Sequence, residues 1–117
     1  MAIDTVLASV AVKDLDKAVE WYAQLLGGQG NRPMPEVAEW TFPRGGGLQV
    51  YKLAERAGKG SLTLVVDDIE TAIAKLSSMK VDVSQRSTNE RVKTLMVVDP
   101  DGNHLAFAQA LDPTLAR

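Results

Sequence analysis

The side chains with the widest chemical range are scarce in this sequence. It holds one histidine, His104, and no cysteine among 117 residues. Without cysteine there are no disulfides, thiolate nucleophiles or zinc-thiolate sites. One imidazole cannot supply a two-histidine, one-carboxylate metal site from a single chain. His104 itself reads either as a solvent-facing strand residue or as a ligand contact and proton shuttle. Tyr51 offers a phenol that donates to a ligand, or a buried ring with a wet tip. Gln49 either contacts a ligand or satisfies a neighbouring buried group. Asp99 and Asp101 look like a carboxylate pair, but they flank Pro100 and precede Gly102, which is the pattern of a type I turn. Gly45-Gly46-Gly47 leads into a strand-like run and lacks the lysine and hydroxyl of a phosphate loop.

The elements that place these groups come in two copies. Val10 to Leu25 overlays Leu64 to Met79 at a shift of 54 residues. In each copy a β-rich run reaches an aspartate, Asp14 or Asp68, and apolar residues then recur at helical spacing. The stripes are Leu15, Ala18, Val19, Tyr22, Leu25 and Ile69, Ala72, Ile73, Leu76, Met79. Each aspartate suits an N-cap, and Gly27-Gly28 suits the end of the first helix. Two matching helices behind two matching strands imply a duplicated unit.

The later halves of the copies align more loosely, with Leu48 over Leu105 at a shift of 57. Between helix and tail each copy has room for two strands. In the second these are read as Val81 to Arg86 and Val92 to Val98. In the first, Glu36 to Phe42 is read as a strand, whereas Pro33 and Pro35 restrict residues 31–35 to an edge. The order is β-α-β-β-β twice, in an α+β chain. It is expected to form a single domain over 1–117, with repeats at about 5–54 and 60–109. Residues 55–60 read as a linker between them.

The run Asp14-Leu-Asp-Lys-Ala-Val-Glu-Trp-Tyr22 after a strand, the later Asp99-Pro-Asp-Gly-Asn103 and the duplication together resemble the vicinal oxygen chelate superfamily. That group includes glyoxalase I, extradiol dioxygenases, fosfomycin-resistance enzymes and bleomycin-resistance proteins. The resemblance spans about Thr5 to Gln109. It implies two βαβββ modules in a partly open mixed β-barrel with helices outside, a concave ligand cavity, and a homodimer.

In metal-using relatives one ligand lies seven residues before the capping residue of each unit, and another four residues beyond the late-turn glycine or its counterpart. Those places fall here on Leu7, Ser61, Gln49 and Ala106. Leucine and alanine cannot coordinate, a hydroxyl is a feeble ligand, and an amide oxygen only supports others. No metal and no cofactor is therefore expected. Strand alternation groups Ser9 and Ala11 with Leu7, Thr63 and Val65 with Ser61, Gly47 and Tyr51 with Gln49, and His104 and Ala108 with Ala106. The candidate ligand-binding residues are Ser9, Trp40, Gln49, Tyr51, Ser61, Thr63, His104 and Ala106. Trp40 and Phe42 share a parity and either wall the cavity by stacking, the reading favoured here, or fill the barrel. These concave positions carry no carboxylate, so a flat, neutral or aromatic ligand is expected, and cationic bleomycin fits poorly.

Composition closes off other classes. A net charge of −2 with scattered Lys and Arg leaves no footprint for nucleic acid or an anionic membrane. No apolar run reaches spanning length, and Met1-Ala2-Ile3-Asp4 lacks a basic leader, so a cytoplasmic location is the default expectation. The residues leave three readings: a metal-free binding protein, favoured here over an enzyme; a metal-independent lyase or isomerase using His104 or Tyr51; and a metalloenzyme, a dioxygenase for example, with displaced or dimer-shared ligands.

Overall fold

The computed structural model describes residues 1–111. In chain order it contains β1 (Leu7–Val12), α1 (Leu15–Leu26), β2 (Asn31–Met34), β3 (Val37–Thr41) and β4 (Gly47–Lys52). A short 3-10 turn (Ala54–Arg56) precedes β5 (Ser61–Val65), α2 (Ile69–Ser78), β6 (Arg86–Thr88), β7 (Val92–Val98) and β8 (His104–Ala110). This is an α+β chain of two βαβββ modules. One compact unit comprises Met1–Gly60 together with Pro100–Asn103, and the other begins at Ser61 and resumes at His104.

Each module builds one four-stranded mixed sheet, ordered β1-β4-β3-β2 in the first and β5-β8-β7-β6 in the second. The first strand pairs parallel with the last, and the remaining pairs are antiparallel. A parallel pair needs a crossover connection, and in each module the helix begins that crossover.

The helices start where a short carboxylate can take their free amides. Asp14 accepts from the Lys17 N–H, while Asp68 accepts from the Glu70 N–H and the Thr71 hydroxyl. The Gln109 side chain additionally accepts from the Ile69 N–H. Helix α1 ends at Gly27, whose φ of 82° lets its N–H return to the Ala23 carbonyl. Helix α2 ends without a glycine, so Lys80 takes the left-handed conformation at φ 63°.

Burial follows the stripes seen in the sequence. Leu15, Ala18, Val19 and Tyr22 of α1 pack toward Trp40, Leu48 and Val50, and Tyr22 is fully buried. In the second module Ile69 and Leu76 occupy the same stripe positions, with Leu95, Val97, Leu105 and Phe107 buried in the sheet. Full burial of each Val, Leu, Ile or Phe among them contributes about 1.5–3 kcal/mol.

One strand limit needs revision. Residues 81–85 are not a strand: the Ser84 N–H turns back onto the Asp82 carboxylate, and pairing starts only at Arg86. Residues 31–34 form the edge strand to which their prolines restrict them, with a register irregularity beside Pro33. Residues 55–60 join the two modules as a folded segment: Ala54–Arg56 form the 3-10 turn, and the Gly60 N–H donates to the Asn103 side chain at 2.9 Å.

Candidate functional site

In each sheet one face lies under its helix and the other carries the remaining side chains. The registers fix which residues share the open face. In the first module three cross-strand rows stand on it: Leu7, Gly47 and Thr41; Ser9, Gln49 and Glu39; Ala11, Tyr51 and Val37. Asn31 of β2 lies opposite Glu39 and extends the middle row.

That middle row is hydrogen bonded. The Ser9 hydroxyl donates to Gln49 Oε1 at 3.3 Å, and Gln49 Nε2 donates to Glu39 Oε2 at 3.1 Å. An ionised carboxylate only accepts, so Glu39 sets the amide with its NH2 toward it and leaves Oε1 for the Ser9 hydroxyl. Ser9 is exposed, while Gln49 and Glu39 are half-buried. Among the described residues Glu39 makes no salt bridge and has no further hydrogen-bond partner. Apolar groups flank the row. Leu7 extends over Gly47, where an added Cβ would stand 2.6 Å from Leu7 Cδ2 and 2.8 Å from the Trp40 carbonyl oxygen. On the other side are half-buried Tyr51 and buried Val37 and Ala11. Tyr51 and Val37 also line a groove of about 370 Å³ with Met34, Pro35, Glu36 and Lys52.

The second module places its rows in the same way: Ser61, His104 and Val98; Thr63, Ala106 and Met96; Val65, Ala108 and Thr94. Ser61, Thr63 and His104 are exposed and Ala106 is half-buried. Val65, Met96 and Val98 expose 60%, 41% and 51% of their surface, so this face is largely apolar and open.

Of the candidate residues, Ser9, Gln49 and Tyr51 come together on the first open face. Ser61, Thr63, His104 and Ala106 share the second. Trp40 does not belong to either row. It is buried on the helix side, 6.0 Å from the Tyr22 ring, with its indole N–H donating to the Gly28 carbonyl at 2.7 Å. Trp40 stands with Ala38, Leu48 and Val50 on the face under α1. Glu39 is the residue that sequence reasoning missed, and it overturns the expectation of a face without carboxylates. Counting outward from the turn at 43–46 would have found it, since antiparallel pairing sets Thr41 against Gly47 and hence Glu39 against Gln49.

The side chains at the four family metal positions do not fit a metal. In the first module Leu7 is hydrocarbon and the Gln49 amide is engaged at both ends. In the second, Ser61 offers a hydroxyl and Ala106 nothing. Among the described residues no three His, Cys, Asp or Glu side chains gather as a metal centre.

Comparison with known proteins bears on the ancestry of this arrangement. The family model described as Glyoxalase/Bleomycin resistance protein/Dioxygenase superfamily matches residues 2–107. A crystal structure of a glyoxalase/bleomycin resistance protein from Catenulispora acidiphila DSM 44928 is 31% identical, with TM-score 0.80, covering 90% of this chain and 96% of its own. TnmS3, an antibiotic binding protein from Streptomyces sp. CB03234, is 26% identical, with TM-score 0.70, covering 94% and 98%. The oxidase ChaP-H2, at 16% identity, TM-score 0.76 and coverage of 93% and 94%, shares the fold. No curated protein matches the chain. Two capped helices, two sheets with parallel outer pairs and a family match over nearly the whole length agree: this chain belongs to the glyoxalase, bleomycin resistance protein and dioxygenase superfamily.

Proposed function

We propose that the protein binds a small organic molecule on the open face of its first sheet and does so without a metal. The observation that carries this reading is the Ser9-Gln49-Glu39 row, where a polar centre is oriented before any ligand arrives and apolar groups lie on both sides. Ligand sites typically combine a few fixed hydrogen-bonding groups with apolar walls. The likeness to an antibiotic binding protein supports a binding role. Tyr51 supplies ring surface and a hydroxyl, and Ser61, Thr63, His104 and Ala106 are the candidate contacts of the second face. Catalysis is not needed to explain this arrangement.

The same reading includes a cytoplasmic homodimer. The exposed Val65, Met96 and Val98 form an apolar patch of the kind that a second copy covers. Light scattering on the purified chain checks this, and a mass of one chain at micromolar concentration counts against it.

The test of function is a thermal-shift screen of aromatic natural products, repeated on Gln49→Ala. Hits should lose most of their stabilising effect in the variant, while its unliganded melting temperature stays within a few degrees of the parent. A large fall in the unliganded melting temperature would instead make Gln49 a structural hydrogen-bonder.

A further inference from the structure

We infer that Glu39 selects the ligand of the first open face and that this ligand presents a positively charged N–H group to it. The inference rests on the binding role proposed above and names its chemistry. Glu39 is half-buried, and one carboxylate oxygen already accepts from Gln49. Gln49 Oε1 in turn accepts from Ser9, and turning the amide over would set its oxygen against the carboxylate and lose the bond to Glu39. Among the described residues no cation pairs with Glu39, although the same module uses Arg32 to pair the exposed Asp16 at 3.0 Å. A carboxylate oriented on an otherwise uncharged row leaves the counter-charge to be supplied from outside. A hydrogen bond between charged partners is also stronger than one between neutral partners. The flanks favour an apolar or aromatic body for the rest of the molecule: Leu7 on one side, Tyr51 and Val37 on the other. A primary ammonium carried by a methylene on two fused aromatic rings has the right division between charged head and flat body.

The experiment uses the full chain and two probes of equal shape, 2-naphthylmethylamine and the neutral 2-naphthylmethanol. Amide chemical shifts are followed by NMR during titration of each. The amine should shift Ser9, Glu39, Gln49 and Tyr51 and bind roughly tenfold tighter than the alcohol, as expected for one charge-assisted hydrogen bond. In Glu39→Gln that advantage should vanish, the amine-to-alcohol affinity ratio falling to about one. The Glu39→Asp variant should retain part of it. If both probes shift the face with equal affinity, or if Glu39→Gln binds the amine unchanged, the selective role of Glu39 is wrong and the binding role stands. If neither probe shifts these residues, the inferred ligand class is wrong, and the thermal-shift screen decides the binding role separately.

Discussion

The two modules share topology, register and helix stripe, yet their open faces differ in kind. Ser9, Gln49 and Glu39 of the first correspond to Thr63, Ala106 and Met96 of the second. One row is a chain of directed hydrogen bonds; the other is a hydroxyl beside two apolar side chains. The helix sides differ far less, with Leu48 and Val50 answered by Leu105 and Phe107, and Tyr22 by Leu76. Duplication has therefore kept what packs the helix on the sheet and let the opposite face diverge. Burial constrains the first because volume errors in a core are costly. An open face carries no such constraint, so it is where a module can take up a task of its own.

That comparison can be attacked from its strongest side first. Tyr22→Ala should destabilise the protein by roughly 3–5 kcal/mol and Leu76→Ala by roughly 2–5 kcal/mol. Both side chains are fully buried at matching stripe positions. Chemical denaturation of the two variants checks this, and a near-silent result at either would break the equivalence of the two helix faces.

Next comes Asn103, which the second module's turn contributes to the first unit. Its side chain donates to the Ala11 carbonyl at 2.8 Å and accepts from the Gly60 N–H at 2.9 Å. Alanine there strands two backbone groups, and each unsatisfied group costs about 1–3 kcal/mol when buried. A loss of roughly 2–4 kcal/mol by denaturation is expected, with leucine no better than alanine. An exchange tolerated without loss would show that water takes over both bonds.

The smallest effect separates the helix ends. Gly27→Ala should cost about 1 kcal/mol, because φ is 82° there. Lys80→Gly should gain up to about 1 kcal/mol at φ 63°. Opposite signs in thermal melts would sharpen the contrast between the modules, and equal signs would remove it.

The fold was legible because its signals were local and repeated. Capping aspartates, apolar stripes and the turn at 99–102 each carry their own geometry, and finding them twice reinforced each reading. Strand limits were less legible where polar side chains compete with pairing, as Asp82 does by taking the Ser84 N–H. Candidate site residues followed from strand alternation where the register was anchored, and Ser9, Gln49 and Tyr51 do share one face. Trp40 was misplaced because period two says which residues share a face but not which face the helix covers. Glu39 escaped notice because it belongs to the site only through its partner across the strand pair.

The most direct measurement of the central claim is elemental metal analysis of tag-free protein, followed by thermal-shift titration with Zn²⁺, Ni²⁺, Mn²⁺ and Fe²⁺. The account predicts no stoichiometric metal and no rise in melting temperature with any of the four. One ion per chain or per dimer, with a matching stabilisation, would contradict it and make glyoxalase and dioxygenase assays the next step.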